Sequence, residues 1–137
     1  MFSFVHANRL WDSMNILVTG FEPFGEIRVN PSQALVDYLD KYKLPKNDSG
    51  VCIESLVLPV TLGSSKCVID MLEKKHYDAV IHFGVAVKRD KITPERIAIN
   101  CLDFPIPDND GRVFCDEPIK RKGAPAYFSG IVLIRNS

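Results

Sequence analysis

The feature that most constrains the fold is an alternation of short apolar runs with amphipathic helical patterns. Apolar runs at residues 15–19, 52–60 and 79–83 are each typical of a buried strand, and a helical pattern follows each of the first two. Strands that alternate with helices form parallel sheets with right-handed crossovers. The sequence therefore predicts an α/β fold with a mostly parallel central sheet.

The first helix has clear start signals. Asn30 can cap it, Pro31 suits the first helical position, and Gln33 stands three residues after the cap. Apolar residues then recur at helical spacing and predict the buried face, namely Ala34, Leu35, Tyr38, Leu39 and Tyr42. Ser64 or Ser65 is predicted to cap the second helix, in which the apolar face is formed by Val68, Ile69 and Leu72.

Two further segments follow the third apolar run. Residues 95–101 alternate apolar and polar side chains and predict another strand, and residues 105–118 are rich in turn-forming residues. Ligands bind beyond the carboxyl ends of the strands in such sheets. The loops at residues 20–25 and 84–91 both follow strands, so we expect a site at that edge.

Length and composition narrow the function classes. A chain of 137 residues has room for one domain, which we assign to residues 14–137, with residues 1–13 as an N-terminal extension. Lys+Arg and Asp+Glu are equal at 17 each, which gives no indication of nucleic-acid or membrane partners. The four scattered cysteines lack metal-ligand spacing, and indicate free thiols in a cytoplasmic protein without a metal or other cofactor.

The loop at residues 20–25 is the first candidate site. Its glycine spacing resembles a phosphate loop, but Glu26 and Ile27 stand where such a loop needs Lys and Ser or Thr. The loop does carry two aromatic rings, Phe21 and Phe24. They either cover the edge of the sheet or form a small apolar slot for a flat ring.

Glu95, at the start of an apolar run, is the second candidate. A carboxylate entering a strand is expected to be poorly solvated and to need a partner. Adjacent strand residues point to opposite faces, so Arg89 is a better ion-pair partner than Arg96. A catalytic carboxylate would instead orient a histidine that activates a nucleophile. His82 is expected to be a hydrogen-bonded core residue, and Cys101 has no histidine nearby in sequence that could activate it.

Taken together, these residues resemble the pyroglutamyl peptidase I family of cysteine peptidases. The similarity is carried by ordered motifs across residues 14–129, which are Met14-Asn15-Ile16-Leu17-Val18-Thr19-Gly20-Phe21-Glu22-Pro23-Phe24-Gly25, Val29-Asn30-Pro31-Ser32, Leu58-Pro59-Val60, the stretch 92–100, Ile106-Pro107-Asp108-Asn109, Asp116-Glu117-Pro118-Ile119 and Ala126-Tyr127-Phe128-Ser129.

The resemblance implies a three-layer α/β/α fold and a Cys–His–Glu mechanism. It places Glu95 in the catalytic set, Arg89 near the reaction centre, and Phe21 and Phe24 against the pyrrolidone ring of the substrate. The substrates implied are peptides with an N-terminal pyroglutamate, cleaved by thiol acyl transfer. The resemblance also implies a homo-oligomer.

Two departures from the family pattern matter. The loop at residues 84–89 has Val87 and Lys88 where the family favours residues that allow a tight backbone. The family carries its nucleophilic cysteine and its histidine beyond the Tyr-Phe-Ser motif, whereas residues 130–137 contain neither. We therefore expect an N-terminal portion of the family fold, with an incomplete sheet, that is inactive alone. The alternative is a non-catalytic module that binds a small cyclic amide or a protein partner.

Overall fold

A computed structural model describes residues 14–42, 50–86 and 88–130. The chain divides into two compact units, one ending at Val85 and one beginning at Ala86. The expected extension at residues 1–13 and the position of Val87 lie outside the described residues. No helix in the described ranges is long and apolar enough to cross a membrane.

The first unit has the predicted strand–helix alternation. Its elements are β1 (Met14–Phe21), α1 (Pro31–Tyr42), β2 (Val51–Leu58), α2 (Ser64–Lys74) and β3 (Ala79–His82). The sheet has the order β2-β1-β3, and both pairings are parallel. β1 is central, and its Leu17, Val18 and Thr19 are buried. The predicted α/β fold is thus confirmed, and β1 and β3 end at the same edge of the sheet.

The start of α1 is confirmed, but its predicted buried face is wrong. The Asn30 side-chain oxygen accepts the Ser32 N–H at 3.0 Å, and the helix begins at Pro31. The buried positions are Ser32 and Val36. Tyr38 and Tyr42 are exposed and contact each other, with ring centroids 4.4 Å apart. The helix approaches β1 through Ser32 and Val36, and the two tyrosines face solvent.

The second helix also differs from expectation at its start. Gly63 is the N-cap residue, and no side chain caps the helix, so the predicted cap at Ser64 or Ser65 is wrong. The Ser65 hydroxyl instead donates to the Leu62 carbonyl at 3.3 Å. α2 has no fully buried residue, and Ile69 and Leu72 of its apolar face are exposed.

A polar cluster joins β2 to the segment before β3. Glu54 on β2 accepts a hydrogen bond from the Tyr77 hydroxyl at 2.7 Å. It also forms a salt bridge with the Lys75 ammonium at 3.1 Å. These two donors lower the pKa of Glu54. Burial, followed by the bond to Glu54, raises the pKa of Tyr77 to about 12.

This cluster predicts a dependence of stability on acid pH. The folded pKa of Glu54 lies below the ordinary value of 4.5, so its contribution is present above that value and is lost as pH falls through the folded pKa. We expect the urea unfolding midpoint of Glu54→Gln to fall less between neutral and acid pH than the midpoint of the parent chain does. Asp70→Asn, which breaks the exposed pair with Lys66, is the control. An unchanged acid slope in Glu54→Gln would contradict the assignment.

The second unit contains two antiparallel strand pairs. β4 (Ile97–Ile99) pairs with β7 (Ala126–Phe128), and β5 (Leu102–Phe104) pairs with β6 (Phe114–Glu117) across an irregular register. The strand predicted at residues 95–101 is therefore confined to β4, and β6 lies within the segment predicted as turns. All of β4 is exposed, and β7 is its one strand partner among the described residues.

Two side chains fix the loops of this unit. The buried Asp108 accepts the backbone N–H groups of Asp110 and Arg112 at 3.0 and 2.8 Å, and Gly111 has a φ of +79°. Residues 108–112 thus form a tight turn within the segment predicted to be rich in turns. The Asn100 side chain bonds both backbone groups of Lys120, each at 2.8 Å.

Candidate functional site

The loop that follows β1 begins with a close approach between strand and helix. A Cβ atom at Gly20 would lie 2.2 Å from the Ser32 carbonyl oxygen and 2.9 Å from Val36 Cγ2. Only glycine leaves room for the first turn of α1 at this point. The position of the loop is therefore set by direct contact between two backbone segments.

A chain of hydrogen bonds then holds the loop. The Phe21 N–H donates to Ser32 Oγ at 2.9 Å, and Ser32 Oγ donates to Asn30 Oδ1 at 2.7 Å. Asn30 Nδ2 donates to the Glu22 carbonyl at 3.0 Å. The Glu22 carboxylate accepts the Val60 N–H at 3.1 Å, which joins the loop to the end of β2. Both Asn30 and Ser32 are buried, so the bond between their side chains is shielded from water.

This loop presents the two predicted aromatic rings. Phe21 is the last residue of β1, and Phe24 is carried on a turn in which the Ile27 N–H donates to the Phe24 carbonyl at 3.0 Å. Gly25 adopts a φ of +54° within this turn. Both phenylalanines are half-buried, so their rings neither lie fully in the core nor stand free. The aromatic slot stays a prediction.

Replacing Asn30 with alanine is expected to destabilise the first unit by about 2–3 kcal/mol, since it removes the helix cap and leaves buried groups of Ser32 and Glu22 without this partner. Thermal or urea unfolding measures the effect. Asn30→Asp is the matched variant, because it keeps the acceptor for Ser32 and loses only the donor to Glu22. Equal losses in both variants would contradict a capping role for the oxygen.

A second polar pair lies at the carboxyl ends of β1 and β3. Thr19 Oγ1 and His82 Nδ1 share a hydrogen bond of 2.7 Å. The predicted hydrogen bonding of His82 is confirmed, but its predicted place in the core is wrong, because β3 is an edge strand of the described sheet and leaves the residue exposed. Although the residue as a whole is exposed, neighbouring atoms partly cover its ring, and this desolvation lowers the pKa of His82 and favours the neutral imidazole.

In the second unit, Arg89 and Glu95 form an ion pair through Arg89 Nη1 and Glu95 Oε1. The same guanidinium nitrogen donates to Thr93 Oγ1 at 2.7 Å. The predicted pairing of these two residues is confirmed. The expected poor solvation of Glu95 is wrong, because its side chain is 70% exposed and precedes β4 instead of entering it.

The Cys101 thiol lacks the features of an activated nucleophile. Cys101 Sγ donates to Asp116 Oδ1 at 3.6 Å, and partial burial and this carboxylate raise the pKa of the thiol. A raised pKa lowers the thiolate fraction and hence reactivity. In the described parts of the chain, all four cysteines are free, and no side chains that bind metals form a group of three.

Comparison with known proteins identifies the family of this chain. The sequence profile of the pyroglutamyl peptidase family matches residues 14–136. The chain belongs to the pyroglutamyl peptidase family. Among relatives, pyrrolidone-carboxylate peptidase of Vibrio parahaemolyticus is 43% identical over 120 residues, which cover 88% of this chain and 55% of that protein. The enzyme of that name from Pyrococcus furiosus is 44% identical over 117 residues, with coverage of 85% and 54%.

Solved pyroglutamyl peptidase structures give the same result. Pyrrolidone carboxyl peptidase from Fervidobacterium islandicum superimposes with a TM-score of 0.77 at 38% identity, over 85% of this chain and 54% of that one. The enzyme from Thermus thermophilus gives a TM-score of 0.73 at 44% identity, over 83% and 57%. The chain thus spans about half the length of the pyroglutamyl peptidases that it matches.

The structure also identifies residues of this pyroglutamyl peptidase fold that the sequence reading missed. In the sequence alone, Gly20 is only a loop glycine and Ser32 only part of a motif. The signal for both was a glycine at a strand end together with a small residue in the first turn of the next helix, which is typical of close strand–helix packing.

Proposed function

We propose that this chain supplies part of a pyroglutamyl peptidase site, and that it does not cleave pyroglutamyl peptides alone. The observation that carries the proposal is the family match over residues 14–136, which corresponds to about half the length of the relatives. Cleavage by this family chemistry requires a thiolate and an imidazole. The Cys101 thiol lies beside the Asp116 carboxylate, and the pKa of the thiol is raised.

The proposed roles follow the chemistry of acyl transfer. Phe21 and Phe24 would hold the flat lactam ring of an N-terminal pyroglutamate, supported by a loop whose backbone is tied before any ligand binds. Glu95 would orient the histidine that protonates the leaving amine, and Arg89 would hold the carboxylate in place. The proposal also includes a cytoplasmic location for the protein and its assembly into a homo-oligomer.

The test of inactivity is direct. Purified chain incubated with a fluorogenic pyroglutamyl amide should release product at the rate of the buffer blank, because the acylation step has no activated sulfur. The full-length Vibrio parahaemolyticus relative, assayed in parallel, is the positive control. Turnover above the blank that disappears in Cys101→Ser would overturn the proposal.

The tied aromatic loop also supports a second candidate, a non-catalytic module that binds a small cyclic amide. Phe21 and Phe24 are half-buried on a fixed turn, and this needs no catalytic group. Titration with pyroglutamic acid amide should then saturate, and Phe21→Ala and Phe24→Ala should each weaken binding by about tenfold. Tyr38→Ala, on the exposed face of α1, is the matched control. Absence of saturable binding would exclude this candidate.

A further inference from the structure

The hydrogen bond between Thr19 and His82 carries an inference that rests on the proposed function. Thr19 Oγ1 lies 2.7 Å from His82 Nδ1. Thr19 is fully buried, so the hydrogen of its hydroxyl group needs an acceptor within the protein. His82 Nδ1 is the one hydrogen-bond partner of this hydroxyl group among the described residues. The hydroxyl group therefore donates the hydrogen bond, and Nδ1 accepts it.

This bond determines which nitrogen of His82 carries the hydrogen. Desolvation lowers the pKa of His82 and favours the neutral ring. In a neutral imidazole whose Nδ1 accepts a hydrogen bond, Nε2 carries the hydrogen and is a donor. In the part of the chain that the structure describes, Nε2 has no hydrogen-bond partner, and the residue is exposed. His82 thus offers one free N–H donor on a ring that Thr19 holds from the other side.

The strand register places this donor on the same face of the sheet as the Phe21 ring. Thr19 and His82 are paired neighbours in β1 and β3, so their side chains point to one face. Phe21 follows Thr19 by two residues in β1 and points to that face as well. Gly20, between them, faces Ser32 at the start of α1. The imidazole and the Phe21 ring therefore share the carboxyl end of the sheet, on the face away from α1.

We propose that His82 Nε2 donates a hydrogen bond to the lactam carbonyl of a pyroglutamyl group whose ring contacts Phe21. An aromatic face attracts any flat ring and distinguishes poorly between a lactam and a hydrocarbon ring. A fixed donor does distinguish them, because a ring without the carbonyl oxygen leaves the donor unpaired. His82 is then a specificity-determining residue. Thr19 is a positioning residue, because it acts only through the imidazole.

Nitrogen NMR of the isotope-labelled full chain tests the position of the hydrogen without any ligand. At neutral pH, the His82 spectrum should show a bare Nδ1 and a protonated Nε2. Thr19→Val keeps the shape of the side chain and removes the hydroxyl group, so the preference between the two nitrogens should be lost. A protonated Nδ1 in the parent chain overturns the proposal.

Two probes then separate contact with the ring from recognition of the carbonyl, namely pyroglutamic acid amide and cyclopentanecarboxamide, which lacks the lactam group. His82→Asn keeps an acceptor for Thr19 but has no donor at the position of Nε2. This variant should bind pyroglutamic acid amide about tenfold more weakly and cyclopentanecarboxamide as the parent does. His76→Asn, at an exposed histidine after α2, is the matched control and should change neither affinity.

The outcomes distinguish this proposal from the aromatic slot on which it rests. Unchanged binding of pyroglutamic acid amide by His82→Asn, or equal weakening of both probes, overturns the role of His82. If Phe21→Ala still weakens both probes in that case, the slot stands without His82. Failure of the parent chain to bind either probe overturns the slot and the role of His82 together. Circular dichroism verifies folding, and if His82→Asn does not fold, the parent chain decides. Its Nε2 resonance must then shift with pyroglutamic acid amide and not with cyclopentanecarboxamide, and any other result overturns the proposal.

Discussion

Replacing Gly20 with alanine is expected to cost the first unit about 3 kcal/mol of its free energy of unfolding, since overpacking against a rigid contact is costly. The new Cβ would lie 2.2 Å from the Ser32 carbonyl oxygen and 2.6 Å from its carbon. Both are backbone atoms at the start of α1, so no side chain can rotate away. The helix must retreat, and the bonds from Ser32 to the loop must lengthen with it.

Urea unfolding followed by circular dichroism measures this loss. Gly84→Ala is the matched control, because nothing lies within 4 Å of a Cβ placed at Gly84. That variant should stay within about 0.5 kcal/mol of the parent, as surface substitutions usually do. Equal unfolding midpoints for Gly20→Ala and the parent would show that α1 does not press on the strand.

The second large effect concerns Glu95 in a complete enzyme. In a chimera that joins residues 14–129 of this chain to the rest of the Pyrococcus furiosus relative, Glu95→Gln should lower kcat about 10³-fold or more, because a neutral amide orients the imidazole poorly and does not stabilise its charged form. The substitution keeps size and shape. Stability should change little, because the Glu95 side chain is 70% exposed.

Steady-state kinetics with a pyroglutamyl amide separate kcat from KM in this test. Asp90→Asn is the matched control, an equally conservative loss of charge at an exposed acidic residue beside Arg89. It should leave kcat within about threefold of the parent chimera. A similarly small effect of Glu95→Gln would remove this residue from the catalytic set.

The sequence predicted the first unit well because periodicity and cap chemistry are local signals. The three parallel strands and the start of α1 at Pro31 follow from them, and the strand bounds differ by no more than two residues. The buried face of α1 could not be predicted in this way. It is set by the contact between Gly20 and Ser32, which depends on how closely two elements approach in space.

The roles of the candidate site residues stay predictions, and their surroundings could be predicted only in part. Charge and strand alternation favour Arg89 over Arg96 as the partner of Glu95, but they do not show that Glu95 precedes the three-residue strand β4 and is exposed. The predicted core position of His82 is wrong for a related reason. Strand order in a sheet is a tertiary property, and an apolar run does not show whether a neighbour pairs with it.

The single amide of Asn30 couples the opening of a helix to the presentation of two rings. Its oxygen holds the first turn of α1, and its nitrogen holds the Glu22 carbonyl between Phe21 and Phe24. Thermal fraying of that turn must therefore loosen the aromatic loop at the same moment. For a ligand bound by the two rings, the dissociation rate should then rise more steeply with temperature than its own contacts predict. The reason is that local unfolding at the start of α1 also releases the aromatic loop.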